Sequence, residues 1–156
     1  AGVTFTPPDA WRSLGASGMR QAQFRLDPVA GDDRPAEVNV FYFGPESGGG
    51  TEANLQRWIG QMSLPDGGDP AGAPGRSEFT VHSMVAHVVS LEGTYRGGMG
   101  RPMGGDAEPE PGTRLVGVVL EGPQGSVFFK LTGPVATAKA MEEDLLAMVR
   151  DARPAG

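Results

Sequence analysis

The side chains of this chain best suited to chemistry are soft metal ligands. His82 and Met84 lie two positions apart, which on a strand puts both on one face, and Met99 and Met103 fall in a Gly-rich stretch. Imidazole and thioether donors suit copper, Cu(I) above all. The competing reading is structural: Met84 packs into a core, His82 sits at a turn, and the Met99–Met103 spacing is incidental. His82, Met84, Met99 and Met103 are therefore the candidate ligands of a copper-handling protein, the alternative to the main reading below. His87 runs in phase with Val85, Val89 and Leu91, the position of an interior or half-exposed histidine.

Other catalytic chemistry finds few parts. Gly44-Pro45-Glu46-Ser47-Gly48-Gly49-Gly50-Thr51 approaches the phosphate-cradling loop, but Gly50 stands where the lysine belongs and Glu46 repels phosphate. A connection that enters a helix with Thr51 as N-cap accounts for it. None of the eight serines lies in Gly-x-Ser-x-Gly. No dinucleotide fingerprint or calcium-loop spacing occurs, and Asp106, Glu108 and Glu110 read as a solvated, Pro-rich stretch with weak cation binding at most. With no cysteine, thiol catalysis, disulfides, thiolate zinc and iron–sulfur clusters are excluded. The expectation is a non-enzyme without a cofactor; the remaining enzymatic possibility is a site assembled only in space, around His82 or His87.

Contact chemistry is better represented. In Asn54-Leu55-Gln56-Arg57-Trp58-Ile59-Gly60-Gln61, Arg57 and Gln61 offer a recognition edge beside Trp58. The structural alternative makes Trp58 a core anchor, with Asn54 or Gln61 satisfying backbone groups. Arg57, Gln61 and Arg96, the last at the head of a long polar loop, are the candidate partner-binding residues. The net charge is −6 and only Lys130 and Lys139 are lysines, so no basic stripe exists to grip nucleic acid. No apolar run approaches the ~20 residues that span a bilayer.

The elements that must position these residues follow from periodicity. Val3-Thr4-Phe5-Thr6 reads as an edge strand ended by Pro7-Pro8. From Arg20, Ala22, Phe24 and Leu26 alternate with polar residues in a half-buried strand. Val38 to Phe43 is β-branched and aromatic on both faces. Leu55, Trp58, Ile59 and Met62 form one helical stripe. Glu78 to Val81 and Met84 to Leu91 read as a hairpin turning near His82-Ser83, followed by a mobile loop over 96–112. Leu115 to Glu121 and Val127 to Leu131 make a second hairpin. A final helix follows Pro134, with Val135, Ala138, Met141, Leu145, Met148 and Val149 buried. With 156 residues the chain fits one domain, 1–156. The fold class expected is α+β, a single largely antiparallel sheet flanked by helices on both faces.

The order of motifs resembles a known family. Phe41-Tyr42-Phe43-Gly44, a Gly-rich loop, Asn54…Arg57-Trp58…Gln61, Gly93-Thr94-Tyr95, and Phe128-Phe129-Lys130-Leu131-Thr132-Gly133-Pro134 before a terminal helix are similar to the PsbP-type fold. That fold is shared by a photosystem subunit, a small Ran-binding nuclear-import factor, and an uncharacterised branch of bacterial extracytoplasmic proteins, often lipoproteins. The resemblance implies an α/β/α sandwich and a non-catalytic, protein-binding role in the cell envelope, periplasmic or lipid-anchored. It carries over no site residue. The start at Ala1-Gly2 fits a removed signal peptide or a trimmed chain.

Overall fold

The computed structural model describes residues 3–7, 11–13, 20–29, 31, 35–42, 51–60, 62–63, 75–95, 110–122 and 125–154. Among them the order is β1 (Val3–Thr4), β2 (Arg12–Ser13), β3 (Arg20–Leu26), β4 (Ala36–Phe41), α1 (Thr51–Ile59), β5 (Met62–Ser63), β6 (Gly75–Val81), β7 (Met84–Tyr95), β8 (Glu110–Gly122), β9 (Gly125–Pro134), α2 (Val135–Arg150) and β10 (Arg153–Pro154). β1 and β10 form a two-stranded ribbon. The other eight strands make one antiparallel sheet, ordered β2-β3-β4-β9-β8-β7-β5 with β6 also on β7. At 12 residues, β7 is long enough to carry β6 along its first half and β5 at Thr94–Tyr95.

Side-chain alternation divides the core between the two faces of this sheet. One face presents Val38, Val40, Ala86, Val88, Val116, Val118, Leu120, Phe129 and Leu131. Across it lies α2, which buries Ala138, Met141, Leu145, Met148 and Val149 in the periodic stripe expected from the sequence. Arg114 on β8 strengthens the seam. Its Nε donates to Glu142 Oε1 of α2 at 2.7 Å, and its Nη1 donates to Glu92 Oε2 of β7 at 2.8 Å. The hydrogen bond to Glu142 raises the Arg114 pKa further above its ordinary value, so the guanidinium is charged at every working pH.

On the opposite face α1 buries Leu55, Trp58 and Ile59 against Val89, Leu91, Leu115, Val119 and Phe128. Trp58 meets Phe128 edge-on at 6.3 Å. The indole lies over Gly117, where a Cβ would stand 2.2 Å from Trp58 Cε3.

The expected sandwich, with helices flanking both faces, is overturned. The sheet dominates, and the two helices have only 9 and 16 residues. α2 spans one face, while α1 covers only the β7–β8–β9 part of the other, over Leu91, Leu115 and Phe128. The reason lies in the length of α1. The sequence stripe carries it to Met62, but the helix ends at Ile59, the Gly60 N–H closes onto Gln56 O at 2.9 Å, and Met62 joins a strand opposite Tyr95. The loop expected over 96–112 is shortened at its end, since Glu110, Pro111 and Gly112 belong to β8; residues 96–109 lie outside the described ones.

The β6–β7 hairpin turns through His82 and Ser83, with φ of 45° and 72°. Positive φ at both central residues is the type I′ arrangement, which matches strand twist but suits Asn-Gly. A non-glycine residue in this region is strained by roughly 1–2 kcal/mol. Ser83→Gly is therefore expected to stabilise the protein by about 1 kcal/mol, read as a rise in thermal midpoint. A lowered midpoint would contradict the turn assignment.

Candidate interaction surface

The face carrying α1 also carries most of the polar side chains that the sheet presents, and it divides into two zones. At the β6 end, His87 lies between two carboxylates. Its Nδ1 is 3.2 Å from Glu78 Oε2 on β6, and its Nε2 is 3.3 Å from Glu121 Oε2 on β8. The second contact is off the line of a hydrogen bond, and Nε2 is buried. His87 on β7 thus stands between carboxylates from the two strands on either side of it. Nε2 is enclosed, and Nδ1 faces Glu78.

Beside it, Arg76 of β6 donates from both Nη atoms to the carboxylate of Glu52 on α1, each at 3.0 Å. Hydrogen bonds from Arg76, then Gln56, hold the Glu52 pKa below the ordinary carboxylate value. A depressed folded value means the tie is complete above the unfolded pKa and is lost as pH falls through the folded one.

Away from α1, the same face is polar. Arg25 grips Glu37 Oε1 with Nε at 3.1 Å and Nη2 at 2.6 Å. Asn39 follows, its Oδ1 buried and without a hydrogen-bond partner among the described residues. Where this zone meets the α1 core, against which Tyr95 packs, Lys130 Nζ donates to Tyr95 Oη at 2.8 Å and stands 5.0 Å from the centre of that ring.

On α1 itself, Asn54 is buried and Arg57 is exposed. Arg57 Nη2 donates to Asn54 Oδ1 one turn back. A buried amide therefore pins a surface guanidinium, whose neighbour Trp58 is anchored in the core. A pre-ordered arginine loses less side-chain entropy on contact than a free one.

Of the residues singled out from sequence, the structure places Arg57 on this surface. Gln61, Arg96, Met99 and Met103 lie outside the described residues. His82 and Met84 are not brought together: His82 is exposed in the turn, whereas Met84 is 3% exposed in the core below α2. The intervening I′ turn, rather than a continuing strand, removes their shared face. Among the described residues no group of three or more His, Asp or Glu side chains is placed to hold a metal ion. The Glu78–His87–Glu121 cluster and the buried Asn39 were not singled out. A two-residue turn at His82-Ser83 sets Glu78 opposite His87, and that register was the available signal. The position of Glu121 depends on the separate β7–β8 pairing.

No family model matches the sequence. No curated protein matches it either. Among solved structures the chain is similar to LpqN of Mycobacterium tuberculosis, described as involved in cell envelope biogenesis. The TM-score is 0.57 at 11% identity, over 99% of this chain and 83% of that one. The likeness is one of fold. The PsbP-type resemblance is not confirmed by it. No helix of the described residues is long and apolar enough to cross a membrane.

Proposed function

We propose that this is a non-catalytic accessory domain of the cell envelope that contacts a partner protein through the α1 side of its sheet. The observation that carries the contact surface is the pinned Arg57, an exposed guanidinium held by buried Asn54 beside the docked Trp58. Such an arrangement favours recognition of a carboxylate-bearing protein surface, because the planar fork is already oriented when the partner arrives. The envelope setting rests on the fold shared with LpqN along 99% of the chain. The two carboxylates around His87 favour a structural over a catalytic role for that residue.

The test is photo-crosslinking in the native producer from a benzophenone side chain placed at Gln56, one position before Arg57. The expected result is a discrete adduct recovered with the envelope fraction and lost on Arg57→Glu. Recovery of the protein with the cytosol, or an adduct indifferent to Arg57→Glu, overturns the reading.

A further inference from the structure

Among the described residues β6 is an edge strand, and its residues Gly75 to Glu78, and Thr80, are exposed. Its register on β7 runs from Gly75 opposite Ser90 to Val81 opposite Met84. In a two-residue hairpin the closing pair is hydrogen-bonded, and hydrogen-bonded and open pairs then alternate. Gly75, Ser77, Phe79 and Val81 therefore direct their backbone groups at β7. Arg76, Glu78 and Thr80 direct theirs outward. Such an edge is a template for another strand, and charges on it restrict which strand can add.

We propose that β6 pairs with β6 of a second copy of this chain, antiparallel, about a two-fold axis at Ser77. The pattern of charge along the edge selects this occupant and this register. With Ser77 opposite Ser77, each Arg76 stands opposite the Glu78 of the other copy. The two-fold makes that pair twice, on outward-facing positions where backbone hydrogen bonds also form. Both side chains keep exposed surface for it, Arg76 39% and Glu78 64%, while holding Glu52 and His87 within their own chain. The neighbouring registers are worse. Centring on Glu78 opposes two like charges. Centring on Phe79 sets Glu78 opposite Thr80 and Arg76 opposite His82, so no Arg–Glu pair forms.

This surface is distinct from Arg57, so the inference stands apart from the proposed envelope contact. Joining the edges continues the sheet across both copies with each α1 on the same side. The Glu52–Arg76 and Glu78–His87 contacts then lie at the seam.

The absence of cysteine makes the test clean. Two residues facing each other at an open antiparallel pair have Cα atoms ~4.5 Å apart, within disulfide reach. Ser77 is exposed, so Ser77→Cys leaves the core intact. The full chain is examined by sedimentation equilibrium near physiological salt, where long-range repulsion between the two acidic copies is screened. The expected result is a reversible monomer–dimer equilibrium, and under mild oxidation a disulfide-linked dimer from Ser77→Cys but not from Thr80→Cys. Glu78→Arg creates two like-charge pairs and is expected to weaken the dimer about tenfold. Arg76→Glu combined with Glu78→Arg recovers it. A chain monomeric at every concentration, with Ser77→Cys remaining a thiol, overturns the proposal. A dimer whose strength Glu78→Arg does not change, or which links as readily through Thr80→Cys, overturns it equally.

Discussion

Gly117→Val is expected to unseat α1 and to cost about 3 kcal/mol or more. A Cβ at this position would stand 2.2 Å from Cε3 and 2.5 Å from Cζ3 of Trp58. The indole has little room to move. It is 3% exposed and meets Phe128 edge-on, while Leu55 and Ile59 fix the helix on either side. The sheet cannot recede either, since β8 is paired with β7 and β9 along its length. The clash therefore expels the ring, and α1 loses its largest anchor. With Trp11 changed to Phe, Trp58 is the sole tryptophan and reports directly. Its emission should shift to the red, and the denaturation midpoint should fall. In a Trp58→Ala background the same glycine substitution should cost much less, since the ring it strikes is gone. Unchanged emission in Gly117→Val would mean that Trp58 does not lie over Gly117.

Arg114→Met is the second large effect, expected at about 2–4 kcal/mol. The guanidinium is 16% exposed and Glu142 19%, so the loss is more than that of a surface pair. Removing the cation leaves the Glu142 carboxylate half-enclosed between α2 and the sheet without its partner. The cost should come largely from that stranded charge. Arg114→Met with Glu142→Leu removes both charges and should regain most of the stability. If the double variant is as weak as the single one, the damage lies in packing of the arginine stem instead. Urea denaturation of the three variants separates these outcomes.

The parts of the fold legible in the sequence are those where one local pattern decides. Residues Ala138, Met141, Leu145, Met148 and Val149 repeat at helical spacing, and all five are buried on the sheet. Alternation marks Phe24 in β3, and the apolar runs from Leu115 and from Val127 mark the buried centres of β8 and β9. What was not legible depended on pairing between distant strands. Met62 continued the stripe of α1 in sequence, yet it is claimed by Tyr95, 33 residues further along. The stripe alone does not reveal a competing strand, so it predicts α1 too long and the sheet's second face too fully covered. The close approach at Gly117 is likewise invisible locally, because only the packed helix shows which ring needs the space.

The candidate surface shows the same division. Arg57 could be singled out because helical spacing turns it away from Leu55 and Trp58. Its pinning by Asn54 follows from the i, i+3 relation, but the burial of Asn54 comes from the sheet beneath. His82 and Met84 were paired by strand spacing, and the positive φ at His82 and Ser83 breaks that phase. The phase of His87 with Val85, Val89 and Leu91 predicts an interior or half-exposed position, and its side chain is 23% exposed. Its two carboxylate neighbours come from β6 and β8, so they converge only through tertiary register.

The proposed contact is made at Arg57, with His87 serving the sheet. The most direct measurement is complementation of cells lacking their own copy, comparing His87→Gln with Arg57→Glu at matched protein levels. His87→Gln should support function with a modestly lowered thermal midpoint, and Arg57→Glu should fail while folding normally. Loss of function in a well-folded His87→Gln chain, with Arg57→Glu fully active, would contradict the account and make His87 the reacting group.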